Sequence, residues 1–212
     1  MNYKEKNVPE VVIKRLPRYY RYLSELLNKD ITRISSGKLS ESMGVTASQI
    51  RQDFNYFGGF GQQGYGYNVE YLHNEIAEIL GLKEGYRAII IGAGHLGMAL
   101  ANHHSFERRG FYITALFDND KSKIGHTVNK KPVLPIDDLK SYILHNNITI
   151  AILAIPKVAV GEMADKLSEF GIKGIWNFSS AEIVTNTPVA VENVHMSDYL
   201  MTLSYKIKQG KY

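Results

Sequence analysis

Apolar residues recur at helical spacing near the start of the chain, between residues 9 and 28. Successive members of the set lie four, three, four and three positions apart, which places them on one face of a helix. Pro17 falls inside this pattern. Because proline suits a first helical turn but breaks an interior, we predict an interruption near Leu16. The apolar positions are Val12, Leu16, Tyr19, Leu23 and Leu26.

Two short helices joined by a tight turn are predicted next. The first opens at serine caps around Ser35, and Gly44 permits the turn. Thr46, followed three residues later by Gln49, forms a capping box that opens a helix reaching about Tyr56. Two short helices joined by a turn containing glycine are the helix-turn-helix arrangement.

A glycine-rich stretch follows these helices. Residues 58–67 hold five glycines, interleaved with Phe60, Tyr65 and Tyr67. The stretch is either a flexible linker or a β-hairpin wing. The aromatic residues favour the wing, because flexible linkers lack such anchors. A helix over 69–82 is expected to complete this part of the chain.

Strands and helices alternate in the rest of the chain, beyond a boundary marked by Gly81 and Gly85. The short apolar strands lack polar alternation, which is typical of strands buried on both faces. We therefore predict an α/β unit of the Rossmann type, with a doubly wound parallel sheet. The predicted strands are 87–91, 111–117, 149–155, 174–178 and 189–194, and the predicted helices are 95–108, 136–145 and 158–170.

Three segments are expected from this pattern: a winged-helix domain over 1–82, a nucleotide-binding domain over 83–195, and a C-terminal helix and tail over 196–212. The C-terminal helix carries an apolar stripe at Leu200, Leu203 and Ile207. Such a helix packs either on its own domain or on a second subunit.

Composition narrows the classes of function. Cysteine is absent from the 212 residues, which excludes disulfides and thiolate chemistry, and no metal site is expected. No apolar stretch is long enough for a membrane span, and no signal-peptide pattern opens the sequence. Residues 1–68 hold 10 Lys+Arg against 6 Asp+Glu, whereas 69–212 hold 15 of each. The basic surplus fits a DNA-facing first third, or merely a mildly basic surface.

A glycine fingerprint follows the first predicted strand and opens a helix. In a dinucleotide site, Gly92 would permit the tight turn, Gly94 would let the backbone approach the pyrophosphate, and Gly97 would let the helix pack close to the strand. The helix N-terminus adds partial positive charge for the phosphates. The alternative is that the glycines only tighten a turn. The strand–glycine–helix context favours the dinucleotide site.

A carboxylate and an apolar cleft complete the predicted cofactor site. Asp118 ends the next strand and suits the adenosine ribose, so NAD(H) is favoured over NADP(H), although Lys121 and Lys123 could tolerate an extra phosphate. The later loops are apolar and should prefer the neutral nicotinamide of NADH to the NAD⁺ cation. The residues predicted to bind the cofactor are Gly92, Ala93, Gly94, His95, Leu96, Gly97, His103, Asp118, Ile155, Pro156 and Phe178.

The second helix of the helix-turn-helix has side chains suited to reading base edges. Arginine can bond guanine bidentately, and glutamine can bond adenine in the same way. An ordinary three-helix module for protein contacts is the alternative. The residues predicted to contact double-stranded DNA are Ser35, Thr46, Ser48, Gln49, Arg51, Gln52, Gln62, Gln63 and Gly64.

Several long motifs, in this order, closely resemble the Rex family of redox-sensing transcriptional repressors, from about Val8 to Ile207. They include Gly44-Val45-Thr46-Ala47, Gln49-Ile50-Arg51-Gln52-Asp53-Phe54, Gly64-Tyr65-Gly66-Tyr67, Gly171-Ile172-Lys173-Gly174-Ile175-Trp176-Asn177-Phe178 and Val191-Glu192-Asn193-Val194.

The resemblance implies a cytosolic bacterial homodimer with an exchanged C-terminal helix. It also implies repression that NADH relieves, by causing release of a pseudo-palindromic operator. Arg21 matches a family interdomain contact that differs between the two states, and His195 stands at a position that is often acidic. His103 replaces a tyrosine near the nicotinamide, and the wing has glutamines where the family usually has a Lys or Arg.

Two other functions are weighed against this one. A small NAD-dependent dehydrogenase needs a second substrate site and a positioned acid or base. After Pro156 few residues remain for such a site, and no histidine lies in a recognisable constellation. We therefore expect no enzyme activity. A nucleotide-gated adaptor would instead bind protein through the helix-turn-helix.

Overall fold

The computed structural model describes residues 8–62, 65–184 and 188–210. Within the chain, two compact units are formed by Met1–Glu84 and Gly85–Tyr212. We call them the N-terminal unit and the C-terminal unit.

The N-terminal unit contains helices and a small antiparallel sheet of strand order β1-β3-β2. The first predicted helix is interrupted as expected, because Pro17 occupies the first turn of a new helix. The elements are α1 (Glu10–Ile13), α2 (Leu16–Leu27), β1 (Arg33–Ile34), α3 (Ser36–Met43), α4 (Ala47–Asn55), β2 (Gly61–Gln62), β3 (Gly66–Asn68) and α5 (Val69–Ile79).

Local sequence explains the helix-turn-helix formed by α3 and α4. The Ser35 hydroxyl accepts a bond from Lys38 N and so caps α3, and Gly44 ends α3 at φ 64°. Thr46 Oγ1 accepts from Gln49 N at 3.1 Å and caps α4. The predicted capping box is only half formed, because the Gln49 side chain bonds Asp53 instead.

The glycine-rich stretch forms a wing. Strands β2 and β3 pair antiparallel, with Gly61 opposite Tyr67, and β3 also pairs with β1. Gly61 is required there, because a Cβ on it would lie 2.7 Å from the Tyr67 ring. Tyr67 is buried in the unit's core beside Phe54. Phe60 packs against the same core, whereas Tyr65 is exposed, so two of the three aromatic residues that favoured a wing anchor it to the core.

The C-terminal unit is built around a seven-stranded sheet of order β10-β9-β8-β4-β5-β7-β6. All its pairings are parallel except β6 with β7. This confirms the Rossmann-type doubly wound sheet. The elements are β4 (Tyr86–Ile91), α6 (His95–Ala101), β5 (Phe111–Asp118), β6 (Thr127–Val128), β7 (Lys131–Pro135), α7 (Leu139–Asn146), β8 (Ile150–Leu153), α8 (Val160–Glu169), β9 (Gly174–Asn177), β10 (Ala190–Asn193) and α9 (Met196–Lys208).

Two apolar cores lie on the faces of this sheet. Adjacent β4 residues serve different cores: Ile89 and Ile91 pack with α7 and α8, whereas Ile90 packs with Ala101 of α6. This is why the strand sequences lack polar alternation.

The β6–β7 hairpin was not predicted from the sequence. Its turn residues Asn129 and Lys130 both have positive φ, and neither is glycine. Pro132 in β7 also argues against a strand, because proline cannot donate to a strand ladder. It is accommodated because the register between β7 and β5 begins only at Val133.

The helix after the fingerprint is shorter than predicted. It ends at Ala101, and the Asn102 side chain donates to Met98 O at 2.9 Å, which satisfies a carbonyl of the last turn. His103 and His104 therefore lie beyond the helix, not on it as predicted.

Helix α9 exposes a continuous set of large apolar side chains. In the described part of the C-terminal unit this helix has no buried residue. Among the described residues, no helix is long and apolar enough to cross a bilayer. The exposed side chains are Met196, Tyr199, Leu200, Met201, Leu203, Tyr205 and Ile207.

Candidate cofactor and DNA sites

The three fingerprint glycines have different surroundings at the end of β4. Gly92 has φ 102°, and a Cβ there would overlap Ala154 O in the loop after β8. A Cβ on Gly97 would overlap Gly92 O, so the absence of a side chain lets α6 sit against the turn. Around Gly94, by contrast, no atom lies within 4 Å of an added Cβ. Two glycines are thus required by the fold, and Gly94 faces open space that a ligand can occupy.

Asp118 is joined to the fingerprint by a hydrogen bond. Ala93 N donates to Asp118 Oδ2 at 2.7 Å, and Asp120 N donates to Oδ1 at 2.9 Å. Lys123 Nζ lies 3.2 Å from Oδ2. Burial acts to raise the pKa of Asp118, but these donors outweigh it and hold the pKa below its ordinary value. The carboxylate therefore stays charged near neutral pH. Lys123, which could have met an extra phosphate, is paired with Asp118.

The loops after β8 and β9 reach the same carboxyl edge of the sheet. Ile155 is half-buried with its methyl near Gly92, and Pro156 is exposed. Phe178 is half-buried and packs with the core that contains Ala93. The structure thus brings the fingerprint, Asp118 and the apolar loops to one edge.

A row of aromatic rings leads from His103 to Phe178. His103 stacks on Phe106 at 4.7 Å, and Phe106 meets the edge of Trp176 at 5.7 Å. Trp176 in turn lies 4.5 Å from Phe178. Phe106 and Trp176 were not predicted as site residues, because only the folded chain brings them together.

His195 precedes α9, and its Nε2 lies 3.9 Å from a carboxylate oxygen of Glu182. His95 is exposed at the start of α6, and Leu96 is half-buried. Arg21 is exposed on α2 of the N-terminal unit. Among the described residues, no group of three or more His, Asp or Glu side chains could hold a metal ion.

Helix α4 has one face in the core and one in solvent. Ile50 and Phe54 are buried, whereas Thr46, Ser48, Arg51 and Gln52 are exposed. This is the division that a recognition helix requires.

The exposed side of α4 borders a cavity of about 600 Å³ between the helix and the wing. Ser35 and Arg51 line it, and Arg51 Nη1 donates to Ser36 Oγ at 3.1 Å. Gln62 ends β2. Gln63 and Gly64, also predicted to contact DNA, lie outside the described residues.

The inner side of α4 holds a buried charge that sequence analysis did not predict. Asp53 is completely buried and accepts bonds from Arg15 Nε and Nη2, both at 2.7 Å, and from Tyr19 Oη at 2.8 Å. Gln49 Nε2 donates to the same carboxylate at 2.9 Å. We call these four residues the Asp53 cluster.

The Asp53 cluster should make the N-terminal unit sensitive to acid. Burial acts to raise the pKa of Asp53, but bonds from Arg15, Gln49 and Tyr19 hold it below the ordinary 3.8. At a pH between the pKa of Asp53 in the folded state and its ordinary value, the unfolded chain binds more protons than the folded one. The cluster's contribution to stability is therefore complete above about pH 4 and is lost as the pH falls through the folded pKa.

The matched control is the apolar triple variant, which combines Arg15→Met, Tyr19→Phe and Asp53→Leu. The free energy of unfolding is measured with urea and circular dichroism at pH 5 and at pH 3. Its decrease from pH 5 to pH 3 should be larger for the wild type than for this variant. Equal losses would contradict the assignment.

Two family models match the chain. One, described as "Putative DNA-binding protein N-terminus", matches residues 7–55, and the other, a CoA binding domain, matches residues 83–181.

Curated relatives resemble the chain over nearly its whole length. The redox-sensing transcriptional repressor Rex of Caldicellulosiruptor saccharolyticus is 50% identical over 207 residues, covering 98% of this chain and 94% of the relative. That of Clostridioides difficile is 52% identical over 206 residues, covering 97% and 98%.

Two solved structures also resemble the chain over nearly its whole length. RSP in complex with β-NAD⁺ and operator DNA is similar at TM-score 0.91 and 51% identity, covering 98% of this chain and 95% of that one. RSP in complex with β-NADH is similar at TM-score 0.90 and 48% identity, covering 98% and 97%.

Proposed function

This chain belongs to the Rex family of redox-sensing transcriptional repressors, and from that membership we propose that it binds operator DNA when NADH is scarce and releases it when NADH binds. The observation that carries the proposal is the likeness, along nearly the whole chain, to RSP, a Rex-family repressor crystallised both with β-NADH and with β-NAD⁺ and operator DNA. As a transcriptional repressor, the protein would act in the bacterial cytoplasm.

The cofactor site proposed for NAD(H) is the carboxyl edge of the parallel sheet. The open space at Gly94 suits a pyrophosphate brought close to the backbone, and the charged Asp118 suits a ribose hydroxyl. Ile155, Pro156 and Phe178 would enclose the nicotinamide, and a largely apolar enclosure favours the uncharged reduced ring. His103 would approach this region through its stack on Phe106.

The DNA site proposed is the exposed face of α4 with the wing. Arg51 and Gln52 would meet base edges, and Ser35 and the wing would meet the backbone. Arg21 and His195 are proposed to take part in the contact between the units that changes with the cofactor. We also propose that the winged-helix domain ends at residue 82 and that the nucleotide-binding domain ends at residue 195.

The direct test is a gel shift on upstream DNA with NADH, NAD⁺, NADPH and coenzyme A compared. Release by NADH alone is expected. Coenzyme A is included because the family model that matches residues 83–181 is described as a CoA binding domain. Retention of the operator in all four conditions would reject the proposal. Turnover of an alcohol or hydroxy acid would instead favour a dehydrogenase, and we expect none.

Asp118→Ala should weaken NADH binding about 10- to 100-fold, because a charged hydrogen-bond acceptor contributes about 1.5–3 kcal/mol. DNA affinity without cofactor should not change. Isothermal titration with NADH and NADPH measures the effect. Asp120→Asn, which alters an exposed neighbour, is the control. Wild-type NADH affinity in Asp118→Ala would exclude Asp118 from the site.

A homodimer is proposed from family membership and from the exposed apolar face of α9. A helix with so many exposed apolar side chains should be covered in the working assembly. Leu203→Glu is expected to shift the protein from dimer to monomer in sedimentation, whereas Lys208→Glu at the end of the same helix should not. A dimer that persists in Leu203→Glu would argue against this interface and against helix exchange.

A further inference from the structure

A carboxylate completely buried in the last turn of a recognition helix is not needed to hold that helix in place. Ile50 and Phe54 already anchor α4 in the core. Replacing a buried ion pair by apolar residues of similar size is often neutral or stabilising. The fold alone thus does not account for Asp53, and its neighbours suggest another role.

The Asp53 carboxylate is held from outside the helix-turn-helix. Arg15 precedes α2 and supplies two parallel bonds, a planar arrangement that fixes the carboxylate in orientation as well as position. Tyr19 on α2 supplies a third bond. Three donors from a separate helical segment thus define where the two carboxylate oxygens point.

The fixed carboxylate in turn determines how Gln49 is oriented. An ionised carboxylate has only acceptors, so the amide nitrogen of Gln49, and not its oxygen, must face Asp53. The Gln49 carbonyl oxygen is consequently turned away from the carboxylate. Gln49 is half-buried, one turn before Asp53 and near the start of the helix, where a recognition helix meets base edges.

We propose that Asp53 is a positioning residue for base recognition: held by Arg15 and Tyr19, it presents the Gln49 carbonyl oxygen to the major groove as a hydrogen-bond acceptor. This rests on the proposed function, in which α4 enters that groove. The base that meets Gln49 should therefore carry an exocyclic amine, as adenine does at N6 and cytosine at N4. Guanine and thymine present acceptors at the corresponding position and should be rejected.

The first experiment uses the wild-type protein and Gln49→Ala, without cofactor. The probe is a duplex selected by the wild type from a randomised pool, together with its single-base-pair variants. The base pair at which Gln49→Ala loses discrimination is then rebuilt with purine or 2-pyrimidinone, which lack the exocyclic amine. The wild type should bind the rebuilt duplex about tenfold more weakly, and Gln49→Ala should bind both duplexes equally. Equal wild-type affinity for the two duplexes would overturn the proposal.

The second experiment asks whether Asp53 acts through Gln49. The apolar triple variant should lose most of the amine-dependent preference, and Gln49→Ala added to it should remove nothing more. The readout is a ratio of affinities for two duplexes, so a uniform loss of DNA binding cancels. Full preference in the folded triple variant, or losses that add, would mean that the cluster is only structural. If the wild type selects no duplex at all, the proposed function itself has failed.

Discussion

Arg15→Met is expected to lower the free energy of unfolding of the N-terminal unit by about 3–5 kcal/mol. Asp53 is completely buried, and Arg15 provides two of its four hydrogen bonds and forms an ion pair with it. Removing the guanidinium leaves a carboxylate that must either stay charged in an apolar surrounding or take up a proton. Both routes cost stability. Urea unfolding at pH 7, followed by circular dichroism, measures the loss.

The apolar triple variant tests the cause of this loss. It removes the carboxylate, the guanidinium and the tyrosine hydroxyl together, so none of the three is left buried without a hydrogen-bond partner. Its stability should return to within about 2 kcal/mol of the wild type, or exceed it. If Arg15→Met and the triple variant were equally unstable, packing and not the buried charge would explain the loss.

Gly94→Ala should weaken NADH binding about 10- to 100-fold while the protein stays folded. An added Cβ meets no protein atom within 4 Å, and the backbone φ of −82° is ordinary for alanine. The methyl would instead occupy the space proposed for the pyrophosphate, and overpacking of this kind costs about 1–3 kcal/mol. Isothermal titration measures the affinity, and thermal unfolding confirms that stability is retained.

Gly97→Ala is the matched comparison within the same fingerprint. Its Cβ would overlap Gly92 O, so α6 must move and the C-terminal unit itself should lose about 1–3 kcal/mol. The two substitutions thus separate a glycine kept for the ligand from one kept for packing. Normal NADH affinity in Gly94→Ala would place the pyrophosphate elsewhere.

Periodic patterns made much of the fold predictable. The alternation of apolar strands with helices led to the parallel sheet, and the glycine–aromatic stretch led to the wing. Both depend on local spacing, which a sequence displays directly. The break at Pro17 and the caps at Ser35 and Thr46 were predictable for the same reason.

Features that depend on distant partners could not be predicted. Arg15 and Asp53 are separated by 38 positions, so their pairing follows only from the folding of α2 against α4. A weak signal existed, since Asp53 lies three residues after the buried Ile50 on the core side of the helix. The end of α6 before His103 was missed because the Asn102 side chain terminates a pattern that periodicity alone would extend.

Whether NADH controls operator binding is decided by measuring the affinity for each ligand with and without the other. Operator affinity is titrated with and without saturating NADH, and NADH affinity with and without saturating operator. We expect NADH to weaken operator binding and the operator to weaken NADH binding by the same factor. An operator affinity that does not change with saturating NADH would show that the cofactor does not control DNA binding.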